Sequence, residues 1–187
     1  MTLWRGEQPL ILASKSATRL TLLVHAGLPV ETVVADVDER ALEAEAGDIE
    51  PAKVALLLAR AKALGAALAL GPEIFHKPRT VETARDQLKR LSGHTHALHS
   101  AVAVAFDGTV AFDVVVSAFL TMRALSDDML DTYLSAAGQR VLTSVGAYQL
   151  EAVGVHLFTR VDGDHFTILG LPLLQLLAFF RQQGLLP

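Results

Sequence analysis

Cysteine is missing from all 187 residues. That removes disulfides, thiol nucleophiles and thiolate-bound zinc together, and it suits a reducing cytoplasm. There is no surplus of positive charge: the net charge is −4 and the isoelectric point about 5.9. A broad basic surface for a nucleic-acid polymer is therefore not expected, although a local basic pocket is compatible with that balance. The first residues lack the charged-then-apolar pattern of a secretory signal. No apolar run is long enough to span a bilayer; the longest, near Leu169–Phe180, is broken by Pro172 and Gln175. Repeats and low-complexity tracts are absent apart from a general richness in alanine and leucine. Against these absences stands a hydrophobic content of 51 %, enough to fill a substantial core. The expectation is one cytoplasmic globular domain over residues 1–187, with no membrane partner.

The chain is organised around Leu10–Leu23. A short apolar run behind Pro9 reads as a buried strand. It passes through Ser14-Lys15-Ser16 directly into a helical pattern, with Leu20, Leu23 and Ala26 on one stripe and Gly27 as the stop. Ser16 is placed to cap that helix. The turn thus gathers two hydroxyls, Lys15 and Arg19 at a helix N-terminus, where unpaired N–H groups and a partial positive charge favour an anion such as phosphate. Many α/β proteins have an ordinary capped turn of this kind, so the turn alone does not decide the function.

Further along, Val30–Ala35 reads as a second strand, ending in the acidic run Asp36-Val37-Asp38-Glu39. Carboxylates at a strand end either sit in solvent or hold a hard cation. Pro51–Ala66 reads as a helix with Lys62 near its end, where a lysine commonly complements the dipole. Lys77 precedes Pro78, which biases its backbone towards extended geometry. A helix is expected over Thr80–Leu91, capped by Thr80 and stopped at Ser92-Gly93. Two strands, Thr95–Phe106 and Thr109–Leu120, flank Asp107-Gly108, a strong hairpin signal. A second antiparallel feature is expected around Asp162-Gly163. His94, His96 and His99 lack the parity of a metal site, and ordinary strand and cap histidines are the better reading. Ser126–Ala137 reads as a helix, Val155–Arg160 as a strand, and a final helix follows Gly170-Leu171-Pro172.

Several of these segments together resemble one family. Leu10–Arg19 is similar to the opening signature of the Maf nucleoside triphosphate pyrophosphatases, with Ser14, Ser16 and Arg19 matching and Ala17 and Thr18 departing from it. The likeness recurs at Asp38-Glu39, Ala59–Ala63, Lys77-Pro78, Leu91-Ser92-Gly93, Glu151 and Gly170-Leu171-Pro172. It implies an α/β fold: an elongated mixed β-sheet with flanking helices, two lobes and a central cleft. It also implies a homodimer, as the family often forms, and a link to septum formation. For the site, the resemblance implies Glu39, Lys62 and Lys77 as catalytic residues. Ser14, Lys15, Ser16, Arg19, Gln149 and Glu151 would bind a nucleoside triphosphate. Glu39 and Asp38 would hold Mg²⁺ or Mn²⁺.

Glu151 falls with the family branch associated with 7-methyl-GTP; the branch with glutamine at that position handles dTTP and UTP. The chemistry agrees, since a carboxylate can accept from the N–H donors of a guanine edge. A place near the phosphates remains the other reading of Glu151. One segment departs from the family. Maf-like chains carry a buried strand and a Gly-Ala-Asp sequence after the helix that bears Lys62, and that aspartate is thought to be the central carboxylate. Here Lys77-Pro78 comes too soon and no aspartate lies between Lys62 and Lys77, so a whole strand with its aspartate is expected to be missing. The sequence as read could omit residues, the deletion could be engineered, or the loss could be natural. The expected activity is Mg²⁺-dependent hydrolysis of nucleoside triphosphates to monophosphate and pyrophosphate, with a 7-methyl-GTP-like substrate ahead of dTTP and UTP. The alternative is a nucleotide-binding regulator with impaired catalysis.

Overall fold

The computed structural model describes residues 3–33, 41–42, 45, 47, 49–62 and 64–187, with the backbone alone at 62 and 64–66. Among the described residues it is a mixed α/β structure with two sheets. Strands β1 (Leu10–Leu12) and β2 (Val30–Thr32) pair in parallel, Leu10 opposite Val30. Between them runs α1 (Ala17–His25), the helical crossover that a parallel pair requires. The second sheet has five strands in the order β4-β3-β5-β6-β7. These are β3 (Leu64–Leu70), β4 (Glu73–Phe75), β5 (Thr95–Phe106), β6 (Thr109–Met122) and β7 (Phe158–Asp162). Asp107 and Gly108 form the turn between β5 and β6, both at positive φ (49° and 75°), as the dipeptide demands. At the far edge β7 pairs antiparallel with β6, Phe119 opposite Asp162.

Helix α2 (Pro51–Lys62) precedes β3, α3 (Val81–Leu91) follows β4, and α4 (Asp127–Ala137) follows β6. Thr80 and Ser126 cap α3 and α4 by accepting from the backbone N–H groups of Thr83 and Met129. The short α5 (His165–Ile168) and the last helix α6 (Leu173–Gln182) end the chain. Among the described residues no helix is long and apolar enough to cross a membrane.

The chain separates into two compact units. The first holds residues 1–66, 100–116 and 165–187. Its core joins Leu12, Leu23 and Leu28 to Val102, Leu171 and Phe180, among others. Phe112 stacks on Phe179 with centroids 4.6 Å apart. The second holds residues 67–99 and 117–164 and buries Leu68, Leu88, Leu91, Leu120, Leu130 and Leu157.

Three elements differ from the sequence reading. Helix α2 stops at Lys62 rather than Ala66, and the apolar residues from Leu64 onward form β3. Leucine and alanine favour a helix locally, but pairing with β4 places Leu68 opposite Phe75 and wins. A strand therefore does follow the Lys62 helix, although it carries no aspartate. The residues before Phe158 are not extended either: Val153–Leu157 is a 3₁₀ turn, and β7 starts only at Phe158. In β1 only Leu12 is buried; Ile11 is 53 % exposed, so that strand is covered on one face.

Candidate active site

The turn after β1 is built as its residues suggest. Ser16 takes an extended backbone (φ −77°, ψ 112°) and its hydroxyl accepts from the Arg19 N–H at 3.4 Å. The Ser14 hydroxyl accepts from the Ser16 N–H at 3.2 Å and from an Arg19 guanidinium nitrogen at 3.4 Å. Both hydroxyls thus use lone pairs inside the turn, which leaves their protons to donate to an incoming oxygen. Lys15 stands exposed beside them. The first-turn N–H groups of α1 and the two cations complete a donor set suited to phosphate oxygens.

Arg19 is anchored from the far end of the chain. Its Nε donates to the Gly170 carbonyl at 2.8 Å. Gly170 has φ +92°, and a Cβ there would lie 3.3 Å from the guanidinium nitrogens. Both the backbone conformation and the space favour glycine. The segment before Gly170 is tied down in turn, because the buried Ser100 hydroxyl donates to the Thr167 carbonyl at 2.7 Å. The structure therefore brings Ser14, Ser16 and Arg19 into one hydrogen-bonded cluster. It adds Gly170, a residue whose bearing on Arg19 the sequence did not reveal. The only local signal was a glycine shortly before Pro172.

Asp38 and Glu39 lie outside the described residues, and of Lys62 only its place at the end of α2 is described. Among the described residues no three His, Asp or Glu side chains come together as a metal site. In the second unit, Lys77 is exposed on the loop after β4 and is followed by the buried Pro78. The loop is held by Gln87, whose side-chain amide donates to the His76 carbonyl at 2.8 Å. Strand β4 is held by the Arg90–Glu73 ion pair and by the Arg90 guanidinium 5.0 Å from the centre of the Phe75 ring.

Gln149 and Glu151 share a turn of the second unit. The Gln149 side-chain amide donates to the Thr143 hydroxyl at 3.2 Å, the Gln149 backbone carbonyl accepts from the Ala152 N–H at 3.2 Å, and Glu151 is exposed. Next to Gln149 in the chain, buried Tyr148 packs with buried His96 and part-buried Phe158, the Tyr148 and Phe158 rings 4.8 Å apart edge to face. His96 Nε2 is 2.7 Å from the Tyr148 hydroxyl. Burial lowers the His96 pKa to about 4 and raises that of Tyr148, so both are neutral at neutral pH. The other histidines serve locally: His94 Nδ1 is 2.8 Å from the Ser92 carbonyl, and His99 Nδ1 is 2.7 Å from the Ser117 hydroxyl.

The family model for Maf-like protein matches residues 9–183, which takes in every candidate site residue above. The chain belongs to the Maf family. A relative from Bradyrhizobium diazoefficiens, named nucleoside triphosphate pyrophosphatase, is 51 % identical over 200 positions, covering 100 % of this chain and 99 % of its own length. A protein of the same name from Rhodopseudomonas palustris is 48 % identical over the same coverage. A relative from Mesorhizobium japonicum named 7-methyl-GTP pyrophosphatase is 48 % identical over 193 positions, covering 95 % of this chain and 97 % of its own. The Bradyrhizobium alignment takes in all 187 residues yet runs over 200 positions. That relative therefore has residues for which this chain has no counterpart.

Proposed function

We propose that this protein is a nucleoside triphosphate pyrophosphatase, a hydrolase that releases pyrophosphate and leaves the nucleoside monophosphate. The observation that carries the reading is the Ser14–Arg19 turn, whose hydroxyl protons, helix N-terminus and anchored guanidinium all suit a phosphate chain. The relatives' names point to the same reaction. Water attacks the α-phosphorus, the bond to the bridging oxygen breaks, and pyrophosphate carries away the electron pair. Such a displacement needs alignment and charge neutralisation more than a reactive side chain. Ser14, Ser16, Lys15 and Arg19 bind and orient the phosphates, and Lys62 and Lys77 add positive charge. Carboxylate oxygens at Glu39, with Asp38 beside it, are the hard donors that Mg²⁺ or Mn²⁺ prefers. The cation would offset the charge of the phosphates.

Gln149 and Glu151 are the base-reading pair in this proposal. Glu151 favours a guanine edge, and so a 7-methyl-GTP-like substrate over dTTP and UTP; a relative named for 7-methyl-GTP supports that preference. The protein works in the cytoplasm, as a homodimer in keeping with the resemblance. One observation favours a second reading. No aspartate lies between Lys62 and Lys77, and the Bradyrhizobium relative is longer than this chain within the aligned region. A protein that binds nucleotides and cuts them poorly would follow from that loss.

Pyrophosphate release with Mg²⁺, and with the metal chelated, decides between the two. The panel is 7-methyl-GTP, GTP, UTP, dTTP and CTP. Release that needs the metal and collapses in Lys77→Ala supports the enzyme. Nucleotide-induced stabilisation without release supports the regulator, and unaltered turnover in Lys77→Ala would remove that lysine from the mechanism.

A further inference from the structure

Tyr148 is held on both sides. The residues before it turn tightly, with Gly146 at φ +77° and Ala147 at φ +61°. The Ala147 carbonyl accepts from the buried Tyr133 hydroxyl at 2.9 Å. A Cβ on Gly146 would lie 2.6 Å from a methyl of Leu68 on β3, so this backbone is pressed against the sheet. At its ring end, Tyr148 meets His96 on β5, a residue 1 % exposed. The His96 ring is packed 5.6 Å from Tyr148 and 5.9 Å from Phe158, centre to centre. Its Nδ1 has no hydrogen-bond partner among the described residues.

That stranded nitrogen is informative. An apolar pair of the same shape would fill the space without burying an unpaired polar atom. What the polar pair adds is direction: a hydrogen bond of 2.7 Å fixes the rotation and depth of the Tyr148 ring, where packing alone would tolerate sliding. Gln149 is the next residue, and Glu151 follows two further on. We infer that His96 and Tyr148 are positioning residues for base recognition: their hydrogen bond fixes the turn that carries Gln149 and Glu151, and neither side chain touches the nucleotide. This rests on the reading that Gln149 and Glu151 meet the base.

The test is equilibrium binding of GTP, UTP and inorganic tripolyphosphate, measured calorimetrically on the full chain with divalent metal chelated, so that no turnover disturbs the equilibrium. Tyr148→Phe deletes one hydroxyl and keeps the ring. The expected result is an unchanged affinity for tripolyphosphate and a roughly tenfold loss of the preference between GTP and UTP. His96→Gln retains a side-chain carbonyl that can accept from the phenol, and should recover part of that preference. His96→Phe should recover none. Equal weakening of all three ligands, or an intact preference in Tyr148→Phe, overturns the inference. Glu151→Ala and Gln149→Ala separate the two failures. If they abolish the preference while Tyr148→Phe keeps it, the positioning role alone is wrong. If they leave it unchanged, base reading at this turn is wrong and the positioning role falls with it.

Discussion

The turn holding Ser14–Arg19 and the turn holding Gln149 and Glu151 both present polar side chains from a fixed backbone, and they do it with opposite materials. The first uses charge. A half-buried guanidinium is tied at 2.8 Å to the Gly170 carbonyl and reaches the Ser14 hydroxyl. Arginine stays ionised across the working pH range, so this support does not depend on pH. The second uses neutral groups. Tyr148 is fixed by a buried histidine, and a histidine serves as a neutral partner only while it remains unprotonated. The comparison teaches that a charged anchor must keep some contact with solvent or with fixed dipoles. A neutral hub can be sunk into the core, at the cost of sensitivity to acid.

The largest break in the comparison should come from Arg19→Ala. It removes the charged anchor and strands the Gly170 carbonyl. Affinity for inorganic tripolyphosphate should fall by on the order of 100-fold, while the ratio of GTP to UTP affinity stays as it was. Calorimetry reads both, and an affinity unchanged within about twofold would detach Arg19 from the phosphate site. Arg19→Lys should restore only part, because an ammonium cannot hold the carbonyl and a ligand in the same planar fork.

Gly170→Ala sharpens the same side. The φ of +92° and the 3.3 Å approach of the guanidinium both penalise a Cβ. Stability should drop by about 1–3 kcal/mol, with a tripolyphosphate affinity about tenfold weaker. Chemical denaturation and calorimetry check the two effects. Loss of stability without loss of affinity would make Gly170 a folding residue only.

The third prediction addresses the neutral hub. Folded His96 takes up a proton only near pH 4, whereas the unfolded chain does so near the ordinary value of 6.5. As pH falls between those values the unfolded state binds a proton that the folded state refuses, so stability declines, by up to about 3 kcal/mol. Above that window the contribution is constant. His99, also depressed by burial, acts with the same sign. Urea unfolding from pH 7 to pH 4 should therefore show a shallower acid decline in His96→Gln than in the unaltered chain. Identical slopes would mean that His96 is not the group being titrated.

The smallest effect belongs to the exposed charges between α3 and α4, where Asp127 pairs with Arg85 at 3.2 Å and Lys89 at 2.9 Å. Solvent-exposed ion pairs contribute little. Asp127→Asn should shift Tm by no more than about 2 °C and leave both ligand preferences untouched. A larger shift would show that the α3–α4 contact supports one of the two turns.

The parts legible in the sequence were those set by neighbouring residues. Ser16, Thr80 and Ser126 announce helix starts, and Asp107-Gly108 announces a hairpin, because each acts through its own backbone. The boundary at Lys62 was misread because leucine and alanine fill helices and buried strands alike, and only the pairing of Leu68 with Phe75 decides between them. The supports of the site were not legible for a related reason. His96 and Tyr148 are 52 residues apart, and Arg19 and Gly170 are 151 apart. No local pattern encodes either contact. The Ser16 cap could be read from the sequence, and the carbonyl that anchors Arg19 could not.

The separation of Arg19 from Gly170 also bears on how the protein is made. A contact spanning 151 positions closes almost the whole chain into a loop, and contacts of that span form late because chain entropy opposes them until other packing is in place. During synthesis Gly170 emerges 151 positions after Arg19, so a growing chain carries the Ser14–Arg19 turn for a time without the carbonyl that anchors its guanidinium. The Ser14–Arg19 turn therefore gains this anchor late in folding. Tripolyphosphate uptake followed during refolding would time the docking of the C-terminal segment, separately from the earlier formation of the helices.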